Sequence, residues 1–93
     1  MLGVLATIKI RPGTNKKFED AMRRMSEAVT DNEDGNYYYD IYRDDDVTYI
    51  VMEKYASQDD IDAHGKSDHM RSIGAEMGQF MAGPPEVKVL KSI

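Results

Sequence analysis

The chain has 93 residues, with 12 basic and 17 acidic side chains, a formal net charge of −5 and no cysteine. This length suits one compact domain over residues 1–93, and the lack of cysteine excludes disulfides and thiolate metal ligands. The acidic excess argues against nucleic-acid binding, which depends on Lys and Arg contacts to phosphates. No apolar run approaches the ~20 residues that span a bilayer. The N-terminus also has no signal-peptide pattern, so we expect a cytoplasmic protein without a membrane partner.

The first 30 residues predict a strand followed by a helix. From Leu2 to Arg11 apolar side chains fall on alternate positions, which is typical of a strand with one apolar face. Pro12-Gly13 ends this strand, and Thr14 is the expected N-cap of a helix that runs to about Thr30. The apolar stripe of this helix has spacings of three and four residues and consists of Phe18, Ala21, Met22, Met25, Ala28 and Val29.

The middle of the chain predicts two further strands. The sequence DNEDG at 31–35 is typical of a turn. NYYYDIYR at 36–43 is a strand candidate, and three aspartates at 44–46 separate it from VTYIVMEKY at 47–55. The latter is apolar on both faces, which indicates a strand covered on both sides.

Two helical segments follow the third strand. Ser57 and Asp60 fit a capping box that opens a short helix ending near His64. Gly65 interrupts this helix, and Ser67 begins a longer one. Its apolar side chains recur at spacings of three and four residues, at Met70, Ile73, Met77, Phe80 and Met81.

The chain closes with an alternating strand at 86–90, after the helix stop at Gly83-Pro84-Pro85. The order is therefore β-α-β-β-α-β with the second helical region split. This order predicts a ferredoxin-like α+β fold, with an antiparallel sheet and both helical regions on one face. The other face would expose Tyr and Met side chains in a monomer, so we expect a homodimer in which two sheets pack together.

Groups that can transfer protons concentrate between Tyr49 and Met70. His64 and His69 are the only histidines, and their spacing of five across a glycine does not match an i, i+4 metal motif. A neutral imidazole can accept a phenolic or enolic proton near neutral pH, and His64 is the first candidate base. Tyr55 ends the third strand, and we expect its hydroxyl to share one hollow with the His64 ring.

For the other notable residues near this segment, a structural role is the first interpretation. Glu53 shares a strand face with Tyr55, so we expect either an Arg or Lys partner, which is favoured, or a raised pKa. The methionine stripes suit a core, although Met also suits a pocket for a flat apolar ring. Alternation in the second strand divides its tyrosines between a cavity-facing and a partner-facing set, with Tyr37 and Tyr39 beside Ile41, and Tyr38 and Tyr42 beside Asp40.

Several strings of the chain, in this order, resemble the antibiotic biosynthesis monooxygenase (ABM) domain family. They are ATIKIRPG, EDGNYYYDIYRD, VMEKYASQDDIDAH, KSDHM and MAGPPEVKVL. The resemblance implies a dimeric α+β barrel of a family that includes quinol monooxygenases and anthrone-type oxygenases without bound cofactors. The bacterial quinol monooxygenases have a similar segment, matched here by Glu53, Tyr55, Ser57, Ala63, His64, Ser67, His69 and Met70.

The chain departs from other members that it resembles. Val51 and Tyr55 stand where anthrone-type oxygenases carry Asn and Trp, and Ile61 stands where they carry a pocket Tyr. Haem-degrading relatives need an axial His at a position that corresponds to about Gly74, and a Trp at the position of His64. This chain has neither residue, so haem degradation is not expected. The isomerase that processes the phosphorylated autoinducer of quorum sensing is also similar. It shares a Gly-Asn turn (Gly35, Asn36), a Tyr matching Tyr55, and histidines matching His64 and His69.

The residues and the resemblance together imply a cofactor-independent monooxygenase that oxidises a small aromatic or quinol-type substrate with O2. His64, Tyr55 and His69 are the expected catalytic residues, with no bound cofactor and no metal. The predicted substrate-binding residues are Val51, Glu53, Ile61, Tyr39 and Met77. Two alternatives stay open. One is an isomerase or tautomerase of a small carbonyl or phosphorylated autoinducer-like compound, and the other is a non-catalytic dimeric ligand-binding module.

Overall fold

The computed structural model describes residues 1–93 as four strands and three helices. The second helical region is split after Gly65, as predicted. The elements are β1 (Leu2–Lys9), α1 (Asn15–Asn32), β2 (Asn36–Asp45), β3 (Thr48–Tyr55), α2 (Gln58–Gly65), α3 (Asp68–Gly78) and β4 (Glu86–Lys91).

The strands form one antiparallel sheet in the order β2-β3-β1-β4. β1 lies inside the sheet, where it pairs with β3 from Leu2–Tyr55 to Lys9–Thr48 and with β4 on its other side. The helices cover one face of the sheet. Buried residues therefore alternate with more exposed ones along β1 and β3. The predicted ferredoxin-like α+β architecture is confirmed.

The core lies between this sheet and α1. The predicted stripe of α1 supplies five side chains that are at most 1% exposed: Phe18, Ala21, Met22, Met25 and Val29. Burying a large apolar side chain contributes about 1.5–3 kcal/mol relative to leaving it exposed. The stripe packs against sheet and α3 residues in one cluster that includes Ile8, Ile10, Tyr39, Tyr49, Val51 and Met77.

The helix α3 ends earlier than its apolar spacing suggests. It stops at Gly78, and Phe80 and Met81 continue the apolar sequence outside the helix. The reason is a competing backbone pairing: the Arg11 amide donates to the Phe80 carbonyl at 2.8 Å, and Met81 bridges Ile10. Both apolar side chains still pack against the core.

Serine caps begin the two short helices. The Asp60 amide donates to Ser57 Oγ at 3.3 Å and the Met70 amide donates to Ser67 Oγ at 3.1 Å. The Ser57 hydroxyl also donates to the Asp60 carboxylate at 2.7 Å. That carboxylate lies against Gly35, where an added Cβ would be only 2.1 Å from Asp60 Cγ. The turn after α1 therefore packs closely against the start of α2, because Gly35 has no side chain to occupy that space.

The sheet face opposite the helices, called here the open face, carries exposed apolar side chains. Tyr38, Tyr42, Met52 and Leu90 are 43%, 52%, 42% and 52% exposed, and the strand registers place them on this one face. Large exposed apolar patches are typical of interaction sites in general. None of the three helices is both long and apolar enough to cross a membrane.

One predicted strand residue does not take its expected side. The pairing of β2 with β3 shifts between Asn36 and Tyr38, so that Tyr37 is an extra residue in the ladder. Tyr37 is 57% exposed, and the Lys54 ammonium lies 5.8 Å from the centre of its ring. The expectation that Tyr37 and Tyr39 share one face of the strand was wrong, because simple alternation fails at a bulge.

Candidate active site

The candidate site lies where four chain segments end or begin. Glu33 is the C-cap of α1, and Tyr55 is the last residue of β3. His64 occupies the last turn of α2, and His69 lies in the first turn of α3, which Ser67 caps. The short loops between these segments bring the side chains together although 36 residues separate Glu33 from His69.

One carboxylate oxygen joins both histidines. Glu33 Oε2 lies 2.8 Å from His64 Nδ1 and 2.5 Å from His69 Nε2. All three side chains are nearly buried, with exposures of 10% for Glu33, 12% for His64 and 13% for His69. A carboxylate only accepts hydrogen bonds, so both ring nitrogens act as donors in this arrangement. The hydrogen-bond network therefore assigns the unprotonated nitrogen of a neutral His64 ring to Nε2.

The His64 ring lies between aromatic side chains. Its centroid is 5.8 Å from those of Tyr39 and Tyr55, and 6.2 Å from that of His69. The structure therefore brings Tyr55 and His64 together. The rings pack on each other with Tyr55 fully buried, and neither residue lines the groove between α1 and β2 or the polar cavity beside Glu33 and His69. The expected hollow shared by these two side chains is not among those cavities.

Glu53 has a partner that differs from the favoured expectation. Its carboxylate is 7% exposed and accepts a hydrogen bond of 2.7 Å from the Tyr55 hydroxyl, with no Arg or Lys in an ion pair. Burial raises the pKa of Glu53, and the charge of Glu33 adds to the rise, while the Tyr55 hydrogen bond and His64 oppose it. The favoured Arg or Lys pair was thus wrong, and the raised pKa is found instead.

The two buried tyrosines beside His64, Tyr39 and Tyr55, are held in the phenol form. Burial, followed by the charge of Glu53, raises the pKa of Tyr39 and of Tyr55 above the ordinary tyrosine range. Both side chains therefore keep their phenolic protons around neutral pH, and the Tyr55 hydroxyl donates its proton to the hydrogen bond with Glu53.

Replacing Glu53 with Gln should stabilise the protein near neutral pH by roughly 1 kcal/mol, because a buried charge is removed while an oxygen acceptor for Tyr55 remains. The raised pKa gives the sign. Folded Glu53 binds more protons than unfolded Glu53 between the two pKa values, so wild-type stability falls as pH rises through that window. Urea unfolding from pH 4 to 8 should show a smaller fall for Glu53→Gln. An equal fall in both proteins would contradict this role of Glu53.

The remaining predicted site residues lie in different environments. Val51 and Met77 belong to the hydrophobic core, at 1% and 5% exposure. Ile61 is half-buried on α2. Tyr39 both contacts His64 and lines the larger cavity. Substrate contact by any of them remains a prediction.

Glu33 was missed from the sequence, where DNEDG was interpreted only as a turn. One feature points to it: an acidic residue at the C-terminus of a helix is disfavoured by the helix dipole, so it requires another partner. The partners are His64 and His69, from segments more than 30 residues away.

Two cavities lie near the candidate site. The larger, of about 740 Å³, is an open groove between α1 and β2 that reaches the site only through Tyr39, and charged and apolar side chains share its lining: Glu19, Met22, Arg23, Ser26, Glu27, Tyr39, Asp40, Ile41, Tyr42, Arg43 and Tyr49. The smaller, of about 220 Å³, is almost entirely polar and is lined by Asn32, Glu33, Asp34, Gly35, Asn36, Asp60, Ala63, Ser67 and His69. The first suits an aromatic ring, and the second suits a small polar species or a hydrated ion.

The sequence model of the antibiotic biosynthesis monooxygenase family matches residues 1–76 of the chain. The protein is a member of that family. No curated protein sequence matches the chain.

Solved structures share the fold of this chain. A protein of Caulobacter crescentus CB15, provisionally named an antibiotic biosynthesis monooxygenase, superposes with a TM-score of 0.94 at 35% identity, over 99% of this chain and 89% of its own. Rv0793 from Mycobacterium tuberculosis gives a TM-score of 0.86 at 28% identity, over 99% and 94% of the two chains. A Nitrosomonas europaea protein with the same provisional name gives 0.89 at 22% identity, over 100% and 99%, which supports the fold. The expected ABM membership is confirmed.

Proposed function

We propose that this ABM protein is a monooxygenase that oxidises a small aromatic, quinol-type substrate with O2 and without a bound organic cofactor. Family membership supports a monooxygenase-like role in general. The observation that carries the finer proposal is the hydrogen bond from His64 Nδ1 to Glu33, because it orients the ring and leaves Nε2 as a proton acceptor beside two phenolic side chains.

The proposed reaction begins with removal of a phenolic proton by His64 Nε2. The resulting anion is electron-rich and gives an electron to O2, which the neutral quinol does only slowly. Recombination then places one oxygen atom on the ring, and the second leaves as water, so that a quinol and O2 yield a hydroxyquinone and H2O. Glu33 would stabilise the imidazolium that forms at His64.

The groove between α1 and β2 is the proposed substrate site. Met22, Ile41 and Tyr42 offer apolar contacts, and Tyr39 stands between the groove and His64. Direct proton transfer would require the Tyr39 ring to turn towards the substrate.

Oxygen consumption with a panel of reduced quinols and anthrones tests the proposal. Chelator-treated protein should accelerate O2 uptake for at least one ring compound, with incorporation of one atom from ¹⁸O2 into the product. A panel that gives no uptake above the uncatalysed rate, or a product whose new oxygen comes from water, would overturn the monooxygenase assignment.

The smaller cavity favours a second candidate function, an isomerase or tautomerase of a small polar carbonyl compound. His69 lines this cavity directly, and a neutral imidazole can move a proton between carbon and oxygen. Its acidic lining, including Asp34 and Asp60, disfavours a phosphorylated substrate. Turnover that proceeds equally with and without oxygen would select this candidate over the first.

We further propose that two copies associate through their open faces as a homodimer. The support is the exposed apolar surface of that face, which a second identical sheet would cover.

Met52→Glu should convert the dimer to a monomer, because it places a charge at the centre of a desolvated contact. Sedimentation velocity at micromolar concentration measures the change. Gln79→Glu, on the helix side of the molecule, serves as a control and should remain dimeric. A monomeric wild-type protein would contradict the proposed assembly.

A further inference from the structure

We infer that Glu33, His64 and His69 form a binding site for one divalent first-row transition-metal ion of the Zn²⁺ type. The three donors come from different elements, and their ligand atoms all lie within 4.8 Å of one another. The sequence spacing of the histidines gave no reason to expect this, because the third ligand is distant in the chain and the loop after α2 brings His69 alongside.

The donor set has the chemistry that such ions prefer. Two imidazole nitrogens and one carboxylate oxygen suit Zn²⁺, Co²⁺ and Ni²⁺ better than Ca²⁺ or Mg²⁺, which take oxygen ligands. Ligand bonds of about 2.0–2.1 Å in a tetrahedron place donor atoms about 3.3 Å apart. The nitrogens lie 2.8 and 2.5 Å from Glu33 Oε2, so each N–O distance has to lengthen by less than 1 Å to receive an ion.

A second observation points independently to a ligand. The Glu33 side chain is only 10% exposed, and its buried Oε1 has no hydrogen-bond partner. A buried carboxylate oxygen without a donor is costly. A bound cation would satisfy this oxygen directly, either as a second ligand atom or through a water in the ion's remaining coordination position.

The smaller cavity gives a cation access to these ligands. Glu33 and His69 are part of its wall, together with Asp34 and Asp60, and no Lys or Arg lines it. Carboxylates without a neighbouring positive charge attract cations and repel anions. The remaining coordination positions of the ion would face this polar space, where water can fill them.

Metal binding would exclude the base role proposed for His64. When Nδ1 binds the ion, a neutral ring must carry its proton on Nε2, the nitrogen assigned to proton acceptance. Added Zn²⁺ should therefore inhibit the oxygenase reaction. This consequence, unlike the binding itself, rests on the proposed function.

The test is a Co²⁺ and Zn²⁺ titration of tag-free, chelator-treated protein. We expect one Co²⁺ per chain with visible absorption typical of a four- or five-coordinate N/O site, and displacement of Co²⁺ by Zn²⁺. Glu33→Gln retains both histidines and should weaken binding by roughly 100-fold or more, since even outer-shell changes cost 10–100-fold. Asp31→Asn removes a nearby exposed carboxylate and should bind as the wild type does.

Each outcome has a defined meaning. No Co²⁺ binding to the wild type at 100 μM overturns the site, and so does equal binding by wild type and Glu33→Gln, because the histidines alone would then account for it. If Glu33→Gln fails to fold by circular dichroism, His69→Gln replaces it, with the same expected loss. Oxygen uptake by chelator-treated protein is measured separately, so failure of metal binding leaves the proposed function intact.

Discussion

Replacing His64 with Ala should lower the rate of oxygen uptake by about 10²–10⁴-fold, the usual contribution of a positioned general base. The expectation follows from the His64 ring, which is held by Glu33 through Nδ1 and lies 5.8 Å from the Tyr39 and Tyr55 ring centres. Without the imidazole the phenolic proton of the substrate loses its proposed acceptor. The measurement is steady-state O2 uptake with the best substrate of the panel.

The controls separate chemistry from folding. Lys66→Ala removes an exposed side chain two positions from His64 and should retain wild-type rates. His69→Ala should have a smaller effect than His64→Ala. His69 also binds Glu33, but the ring beside Tyr39 and Tyr55 is that of His64. Activity of His64→Ala within a factor of three of the wild type would remove His64 from the proposed mechanism.

Replacing Tyr55 with Ala should cost about 3–5 kcal/mol of stability, as expected for removal of a fully buried aromatic ring. The cost includes two terms. The first is the packing of the ring against His64 and its other neighbours, which is replaced by a cavity. The second is the hydrogen bond that the Tyr55 hydroxyl donates to the buried Glu53 carboxylate at 2.7 Å. Urea unfolding monitored by circular dichroism gives the difference.

Tyr55→Phe separates these terms, because it keeps the ring and removes the hydroxyl. It should cost about 1–3 kcal/mol, the penalty for an unsatisfied buried polar group. The double variant Tyr55→Phe with Glu53→Gln should recover part of this loss, since the orphaned group is then uncharged. Equal stability of Tyr55→Phe and wild type would mean that the Glu53–Tyr55 hydrogen bond contributes nothing.

The fold was predictable because its information is local. Alternation in β1, the three- and four-residue spacings of α1 and the serine caps at Ser57 and Ser67 each act within a few residues. The errors arose where non-local pairing overrides such patterns. Tyr37 lies at a bulge set by the register of β2 on β3, and α3 ends at Gly78 because the following residues pair with the end of β1.

The candidate site was predictable only in part. Placement of His64 near Tyr55 follows from the short connection between β3 and α2, which limits how far apart the two residues can lie. Glu33 could not be assigned in the same way, because its position depends on how the end of α1 packs beside α2 and α3. The partner of Glu53 is its near neighbour Tyr55 on the same strand face, whereas an Arg or Lys was favoured.

The absence of a side chain at Gly35 makes room for the Asp60 carboxylate at the start of α2. The Asp60 carboxylate occupies the volume that a side chain at Gly35 would need, and Asp60 belongs to the helix that carries His64, while Gly35 follows Glu33 by two residues. Any larger residue at position 35 would have to displace this carboxylate, which accepts the Ser57 hydroxyl at the start of α2. A substitution in the turn after α1 would therefore disturb the first turn of the helix that carries His64, although no residue of that helix had been altered.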